Sequence, residues 1–173
     1  MYNPNEPIDL GVAPDPIDEN RRTIRRIFVH CTATSQKARV ESIRRYWREH
    51  NHWTFPGYHY IVLPSGTIER LCEDRTVANG VRGYNATSIH VAYLGGITDP
   101  DSNGKTHAID NRTDAQRAAL RSLLQRLRRL YPAAQILGHR DISPDKNHNG
   151  RVDPWERIKE CPCFDAREEY KDI

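Results

Sequence analysis

Two segments near each other in the second half of the chain contain side chains that bind transition metals. His139 lies in the first segment, and Lys159, Cys161 and Cys163 lie together in the second. His30 follows an apolar run far upstream. Imidazole nitrogen and thiolate sulfur are ligands that zinc prefers, and three such ligands leave a fourth coordination position open. The residue types therefore allow a zinc site, provided that the fold brings His30 to the later segments.

Spacing alone does not select among the ligands. The chain has eight histidines, and His30 and His139 are too far apart to form a local zinc-binding pattern. A histidine at the end of a strand is more often a buried structural residue than a ligand. In the same structural interpretation, Cys161 would be a small buried hydrophobic residue, Lys159 a solvated surface residue and Tyr58 an aromatic residue of a strand. The residues alone therefore favour structural roles and leave the metal site as the weaker alternative.

A second metal-binding pattern lies between the two segments. Residues 145–156 fit D-x-[DN]-x-[DN]-G-x5-E, which is the pattern of a calcium-binding loop. The alternative is a loop of Asx turns without a metal, because Ser143-Pro144 prevents a long helix from preceding it. The candidate Ca²⁺ ligands are Asp145, Asn147, Asn149, the carbonyl of Arg151, and Glu156.

The elements that must position these residues alternate between strands and helices. Apolar runs predict strands over 24–32, 56–63, 67–71, 89–94 and 134–137, and His30 lies near the end of the first. Helical periodicity predicts helices over 40–50, from 113 to about 130 and over 164–170, with a helical turn over 154–158. The pattern is typical of an α/β fold: a single domain with a central mixed β-sheet of about five to six strands flanked by helices.

The long helix after residue 113 has the clearest sequence signals. Thr113 and Gln116 form a capping-box pattern, a leucine stripe follows, and Pro132 ends the helix. Arginines occupy the face opposite the leucines. We interpret this as a solvated face and expect no nucleic-acid binding, because aromatic residues do not alternate with the basic ones.

The bulk properties are typical of one globular domain. The chain has 173 residues, 37% hydrophobic and 28% charged, with a net charge of +3. Residues 1–23 are rich in proline and acids and predict an extended leader, whereas 24–173 form the domain. No apolar run is long enough to span a membrane, and the N-terminus lacks the features of a signal peptide. We therefore expect synthesis in the cytoplasm, free or metal-bound cysteines rather than disulfides, and a monomer.

Seven short segments, in the same order along the chain, resemble the zinc-dependent N-acetylmuramoyl-L-alanine amidases of the phage-lysozyme and peptidoglycan-recognition-protein type. The resemblance extends over roughly residues 24–170. The segments are IFVHCTAT at 27–34, GYHYI at 57–61, GTIE at 66–69, GYN with SI within 83–89, LGGI at 94–97, GHRD at 138–141 and KECPCFD at 159–165.

The resemblance implies a ligand set and a reaction. The zinc ligands fall on His30, His139 and Cys161, and the two catalytic side chains fall on Tyr58 and Lys159. Cys161 matches the pattern better than Cys163, because it precedes Pro162 and follows Lys159 by two positions. The implied activity is hydrolysis of the amide between N-acetylmuramic acid and L-alanine in bacterial peptidoglycan, which lyses the cell wall. The alternative is a peptidoglycan-binding module on the same fold that does not cleave.

Three further positions follow from the resemblance. Asn85 is expected to contact the substrate. Members of the family often have a histidine about three residues before the GYN segment and favour a glycine after Ser-Ile. This chain has Gly80 and His90 at those positions, and both are expected near the cleft, where they would change substrate contacts.

Overall fold

A computed structural model describes residues 22–173 and places five strands in one sheet. The strands are β1 (Arg26–Cys31), β2 (Tyr60–Val62), β3 (Ile68–Arg70), β4 (Ser88–Tyr93) and β5 (Gln135–Gly138). Their spatial order is β3-β2-β4-β1-β5. Only β3 runs antiparallel to its neighbour, β2, and the other pairs are parallel. The predicted α/β fold with a mixed sheet is therefore confirmed.

In the part of the chain that the structure describes, three α-helices accompany the sheet: α1 (Val40–Glu49), α2 (Asp114–Leu130) and α3 (Ala166–Glu169). The predicted capping box is present at the start of α2, where Thr113 and Gln116 exchange side-chain to backbone hydrogen bonds of 3.0 Å in both directions. The Gln116 amide also donates to the carbonyls of Val62 and Leu94. These bonds attach the start of α2 to β2 and to the residue that follows β4.

The two faces of the sheet have different partners because successive strand residues point in opposite directions. On β1, Ile27, Val29 and Cys31 pack in the cluster that contains the leucines of α2. Phe28 and His30 lie on the other face. On that face α1 contributes Ile43 and Trp47, which pack against residues of β2 and β4. His30 thus points toward the α1 side of the sheet.

β2 begins four residues later than the sequence predicted, at Tyr60 rather than at 56. The physical reason is that a side chain replaces part of the strand ladder. The backbone N–H of His90 donates to Nδ1 of His59 at 3.0 Å, and the N–H of His59 donates to the carbonyl of His90. The residues before Tyr60 therefore approach β4 without forming regular strand pairs.

Most of the predicted leader, residues 1–21, lies outside the described residues. Arg22, which falls within the predicted leader, is in contact with the domain. Its guanidinium donates to the carbonyls of Asp74, Asn85 and Ser88. Among residues 22–173, no helix has both the length and the apolar character that crossing a membrane requires.

Candidate active site

The sheet topology brings His30 and His139 together. β1 and β5 are parallel neighbours, so their carboxyl ends meet at the same edge of the sheet. His30 is the next-to-last residue of β1, and His139 directly follows β5. The two imidazole rings pack edge to face, with centroids 4.9 Å apart. Two histidines that are distant in sequence thus become neighbours.

Cys161 reaches the same edge through backbone contacts. The N–H of Arg140 donates to the Cys161 carbonyl at 2.8 Å, and the N–H of Cys31 donates to the Cys161 sulfur at 3.3 Å. The Cys161 sulfur lies 3.6 Å from Nδ1 of His30. The potential ligand atoms of His30, His139 and Cys161 all lie within 4.8 Å of one another. Within residues 22–173, this is the one group of three or more such side chains that could hold a metal ion.

The chemistry of this group fits zinc. Two imidazoles and one thiol form a donor set that zinc accepts, with room for a fourth ligand. Burial lowers the pKa of His139 to about 4, and the positive charge of Lys159 acts in the same direction. Burial, together with neighbouring His90, His139 and Lys159, also holds the pKa of His30 well below its usual value. Both imidazoles are therefore neutral near pH 7, as metal ligands must be.

Cys163 lies apart from this group. Its sulfur is 3.8 Å from the sulfur of Cys31 and 3.4 Å from the carbonyl oxygen of Gly96. The structure thus places Cys161 with the histidines and Cys163 with Cys31.

Tyr58 and Lys159 line the same cleft as His139 and Cys161, a cavity of about 410 Å³. The Tyr58 ring lies 5.0 Å from the His30 ring, and its hydroxyl donates to the Cys31 carbonyl at 3.4 Å. Burial raises the pKa of Tyr58 well above its usual value, and the thiols of Cys161 and Cys31 add to the effect. The phenol therefore keeps its proton. Lys159 is exposed, so its ammonium group can reach a bound ligand.

The walls of the cleft include residues that the sequence did not single out for a site. Trp47 and Trp53 stack with ring centroids 6.3 Å apart, and Trp47 also packs edge to face on Tyr58. Ile97 and Ala108 are further apolar lining residues. The sequence placed Trp47 on the apolar face of α1. The one sequence signal for a binding cleft here is that Trp47 lies near the end of that helix, close to Trp53. Such an apolar lining with few polar groups is typical of a binding site.

Gly80 and His90, the two departures from the family pattern, have different environments. Gly80 lines the cleft. His90 is fully buried and is absent from the cleft lining. Its Nδ1 lies 3.1 Å from Nε2 of His30, on the side of the His30 ring that faces away from Cys161. His90 therefore contacts a candidate metal ligand rather than the cleft.

Asn85 stabilises a turn. Its side-chain oxygen accepts a 2.7 Å hydrogen bond from the backbone N–H of Val81, and its carbonyl accepts from Arg22. It is not among the residues that line the cleft. A substrate contact for Asn85 remains a prediction.

The loop at 145–156 is closed by hydrogen bonds between carboxylates and backbone amides. The Asp145 carboxylate accepts from the N–H groups of Asn149 and Gly150. Glu156 is buried, and its carboxylate accepts from three further backbone N–H groups, those of Lys146, Asn147 and Asp153. The Asn147 and Asn149 amides and the Arg151 carbonyl lie on the exposed part of the loop. These contacts agree with the Asx-turn alternative, and calcium binding remains a prediction.

Comparisons with known proteins identify the family of the chain. The model of the N-acetylmuramoyl-L-alanine amidase family matches residues 20–156. The endolysin of Klebsiella phage KP32 is 37% identical over 149 residues, which cover 85% of each chain. The endolysin of Escherichia phage T7 is 36% identical over 151 residues, which cover 86% of this chain and 87% of the phage protein.

A solved structure shows the same fold. The endolysin N-acetylmuramoyl-L-alanine amidase LysCS from Clostridium intestinale has a TM-score of 0.61 at 20% identity, over 87% of this chain and 82% of that chain. At this identity the likeness establishes the fold alone. The family match ends before Lys159 and Cys161, so their placement rests on the geometry described above. The extent of the family match and the identity to the phage endolysins show that this chain belongs to the N-acetylmuramoyl-L-alanine amidase family.

Proposed function

We propose that the chain is a zinc-dependent, endolysin-type enzyme that hydrolyses the amide between N-acetylmuramic acid and L-alanine in bacterial peptidoglycan. The observation on which this proposal rests is the convergence of His30, His139 and Cys161 beside a cleft that Tyr58 and Lys159 also line. The family and the phage relatives support the reaction, and the donor set supports the metal. The substrate would be the cell wall.

His30, His139 and Cys161 would hold the zinc ion, and a set of three protein ligands leaves a fourth coordination position for water or substrate. Zinc in this position supplies Lewis-acid chemistry, which lowers the pKa of water and polarises a carbonyl group. Cys161 provides the one ligand that becomes an anion, and its sulfur already accepts the N–H of Cys31.

Lys159 and Tyr58 act on the substrate rather than on the ligands. Lys159 is a cation at the cleft, where it can stabilise the negative charge that develops on the oxygen of the scissile carbonyl. Tyr58 keeps its phenolic proton, so it can donate a hydrogen bond to the reacting groups or to the departing amine. The stacked Trp47 and Trp53 provide an apolar wall that can hold the lactyl-peptide portion of the substrate in place.

The decisive experiment combines metal analysis with an assay of the reaction. We expect the purified protein to contain about one zinc per chain, as a single three-ligand site requires. We also expect it to release peptides with a free L-alanine amine from purified peptidoglycan, and a chelator to abolish this release until zinc is restored. Zinc with peptidoglycan binding but no release would favour the non-cleaving module instead. A zinc-free, active protein would contradict the metal site.

A further inference from the structure

We propose that His90 is a positioning residue that fixes the ring of His30 for metal binding. This inference rests on the zinc site of the proposed function and adds a residue outside the cleft to it. Its basis is the contact between the two imidazoles, 3.1 Å from Nε2 of His30 to Nδ1 of His90, in a fully buried environment.

The two nitrogens of His30 face different partners. Nδ1 lies 3.6 Å from the Cys161 sulfur and points into the group of ligands, whereas Nε2 points at His90. A neutral imidazole bears one hydrogen, so Nδ1 offers a lone pair to a metal only when the hydrogen is on Nε2. Nε2–H then needs an acceptor, and Nδ1 of His90 is the acceptor within reach. A partner of this kind orients a ligand ring and raises its basicity.

The position of His90 is itself well defined. Its ring is stacked on Phe28, with centroids 5.7 Å apart and planes within 7°, and on His59, with centroids 5.8 Å apart and planes within 20°. Phe28 and His90 are register partners on adjacent strands β1 and β4. The backbone N–H of His90 donates to His59. The acceptor therefore belongs to a rigid stack that the central strands of the sheet hold in place.

The other nitrogen of His90 supports this assignment. If Nδ1 of His90 accepts from His30, its own hydrogen must be on Nε2. Nε2 of His90 is the one buried side-chain nitrogen or oxygen without a hydrogen-bond partner among the described residues. Buried unpaired polar atoms are rare in folded proteins and call for an explanation. The explanation here is that Nδ1 of His90 must accept the hydrogen bond from His30, which forces the hydrogen of His90 onto its unpaired Nε2.

Two nearly isosteric substitutions separate the hydrogen bond from packing. His90→Asn can place its amide oxygen near the position of Nδ1, whereas His90→Leu fills similar space without an acceptor. Zinc affinity is measured by competition with a chromophoric chelator. We expect His90→Leu to bind zinc about 10- to 100-fold more weakly than wild type, the usual effect of losing such a partner. His90→Asn should recover most of that loss.

The control is His50→Leu, the same substitution at an exposed histidine outside this stack and outside the cleft. We expect it to bind zinc like wild type. Cobalt-substituted protein gives a second readout, since the ligand-field absorption of His90→Leu should differ from that of wild type and of His50→Leu. Unfolding of the chelator-treated proteins shows whether each variant is folded. If His90→Leu does not fold, His90→Gly replaces it, because the residue then matches the family pattern at this position.

Wild-type zinc affinity in the folded Leu or Gly variant would overturn the inference, as would equal losses in the Asn and Leu variants. Because zinc affinity is measured without substrate, the two proposals can fail separately. Loss of affinity in a protein that never cleaves peptidoglycan would reject the proposed reaction alone. Undiminished affinity in variants of an active enzyme would reject the role of His90 alone.

Discussion

Gly80 and His90 fill complementary space. A Cβ atom added to Gly80 would lie 2.3 Å from Nδ1 of His90, which is far inside van der Waals contact. The family pattern has its histidine near the first position and its glycine at the second. Relative to the pattern that the resemblance implies, the small and the large residue would be exchanged across this one contact.

This exchange predicts strong coupling between the two positions. Gly80→Ala in the wild-type protein should lower the free energy of unfolding by about 1–3 kcal/mol, because the methyl group overpacks the His90 ring. In a His90→Gly background the same substitution should have little effect. Urea unfolding of the four proteins measures the coupling. Equal effects of Gly80→Ala in both backgrounds would show that the contact is not constrained.

The two neighbouring cysteines should respond differently to the same substitution. We expect Cys161→Ser to lose zinc and activity together, because a hydroxyl is a much weaker zinc ligand than a thiolate. Cys163→Ser should keep most of both, since Cys163 contacts Cys31 and not the histidines. Zinc content and peptide release of the two matched variants give the answer. The reverse result would mean that the wrong cysteine was assigned to the metal.

Lys159 and Tyr58 should affect turnover more than metal binding. Lys159→Met removes a charge that stabilises the developing oxyanion, and we expect kcat to fall by about 10²- to 10³-fold. Tyr58→Phe should lower kcat as well, with zinc content unchanged. Lys171→Met, a substitution of an exposed lysine outside the cleft, is the control and should be silent. An effect confined to KM would assign Lys159 to substrate binding instead.

Glu156 should be essential for the order of the loop between His139 and Cys161. In Glu156→Gln an amide –NH₂ group would face backbone N–H groups that now donate to a carboxylate, which leaves buried donors unpaired. We expect faster amide hydrogen exchange over residues 145–156 and weaker zinc binding than in wild type. Unchanged exchange would show that the loop does not depend on Glu156.

Thermal unfolding of the wild type and of Asp145→Asn tests the calcium prediction. If residues 145–156 bind Ca²⁺ as their sequence pattern predicts, millimolar Ca²⁺ should raise the Tm of wild type but not that of Asp145→Asn. Mg²⁺ should leave the Tm of both proteins unchanged. No shift would leave the loop as a turn closed by its own amides.

Buried histidines should make the chelator-treated protein sensitive to acid. Burial lowers the pKa of His59 to about 4, compared with about 6.5 in an unfolded chain. Between these values the unfolded state binds more protons than the folded state, so the free energy of unfolding falls as the pH falls. His59 alone accounts for up to about 3 kcal/mol by pH 4. Urea unfolding from pH 7 to pH 4 should show this slope, and His59→Asn should flatten it; equal slopes would contradict the assignment.

The sequence predicted the elements whose signals are local. The capping box and leucine stripe defined α2, and the apolar run before His30 defined β1, each to within two residues of the structure at its start. The start of β2 was wrong because His59 uses its side chain to bind the backbone of β4, a contact with no local signal. Hydrophobic periodicity shows which face of a segment is buried, but it does not show which backbone group a side chain will hydrogen-bond.

The candidate site was less accessible to sequence reasoning for the same reason. His30, His139 and Cys161 come together only because β1 and β5 are parallel neighbours, and the residue types by themselves favoured structural roles. The resemblance to the amidases supplied the grouping that spacing did not. His90 was noticed only as a departure from a pattern. His90 and Ala92 lie on the same face of β4, opposite Phe28 and His30 of β1. Only this strand register shows that His90 lies next to His30.

The central position of β1 has a consequence for the order in which the fold can form. β1 is the first of the five strands to be synthesised, yet both of its neighbours, β4 and β5, come much later in the chain. Its apolar residues therefore remain unpaired until β4 has been synthesised, and they are exposed until then to chaperones or to other nascent chains. Such non-local pairing is slow. We expect this strand, rather than the helices, to set both the refolding rate and the tendency to aggregate during expression.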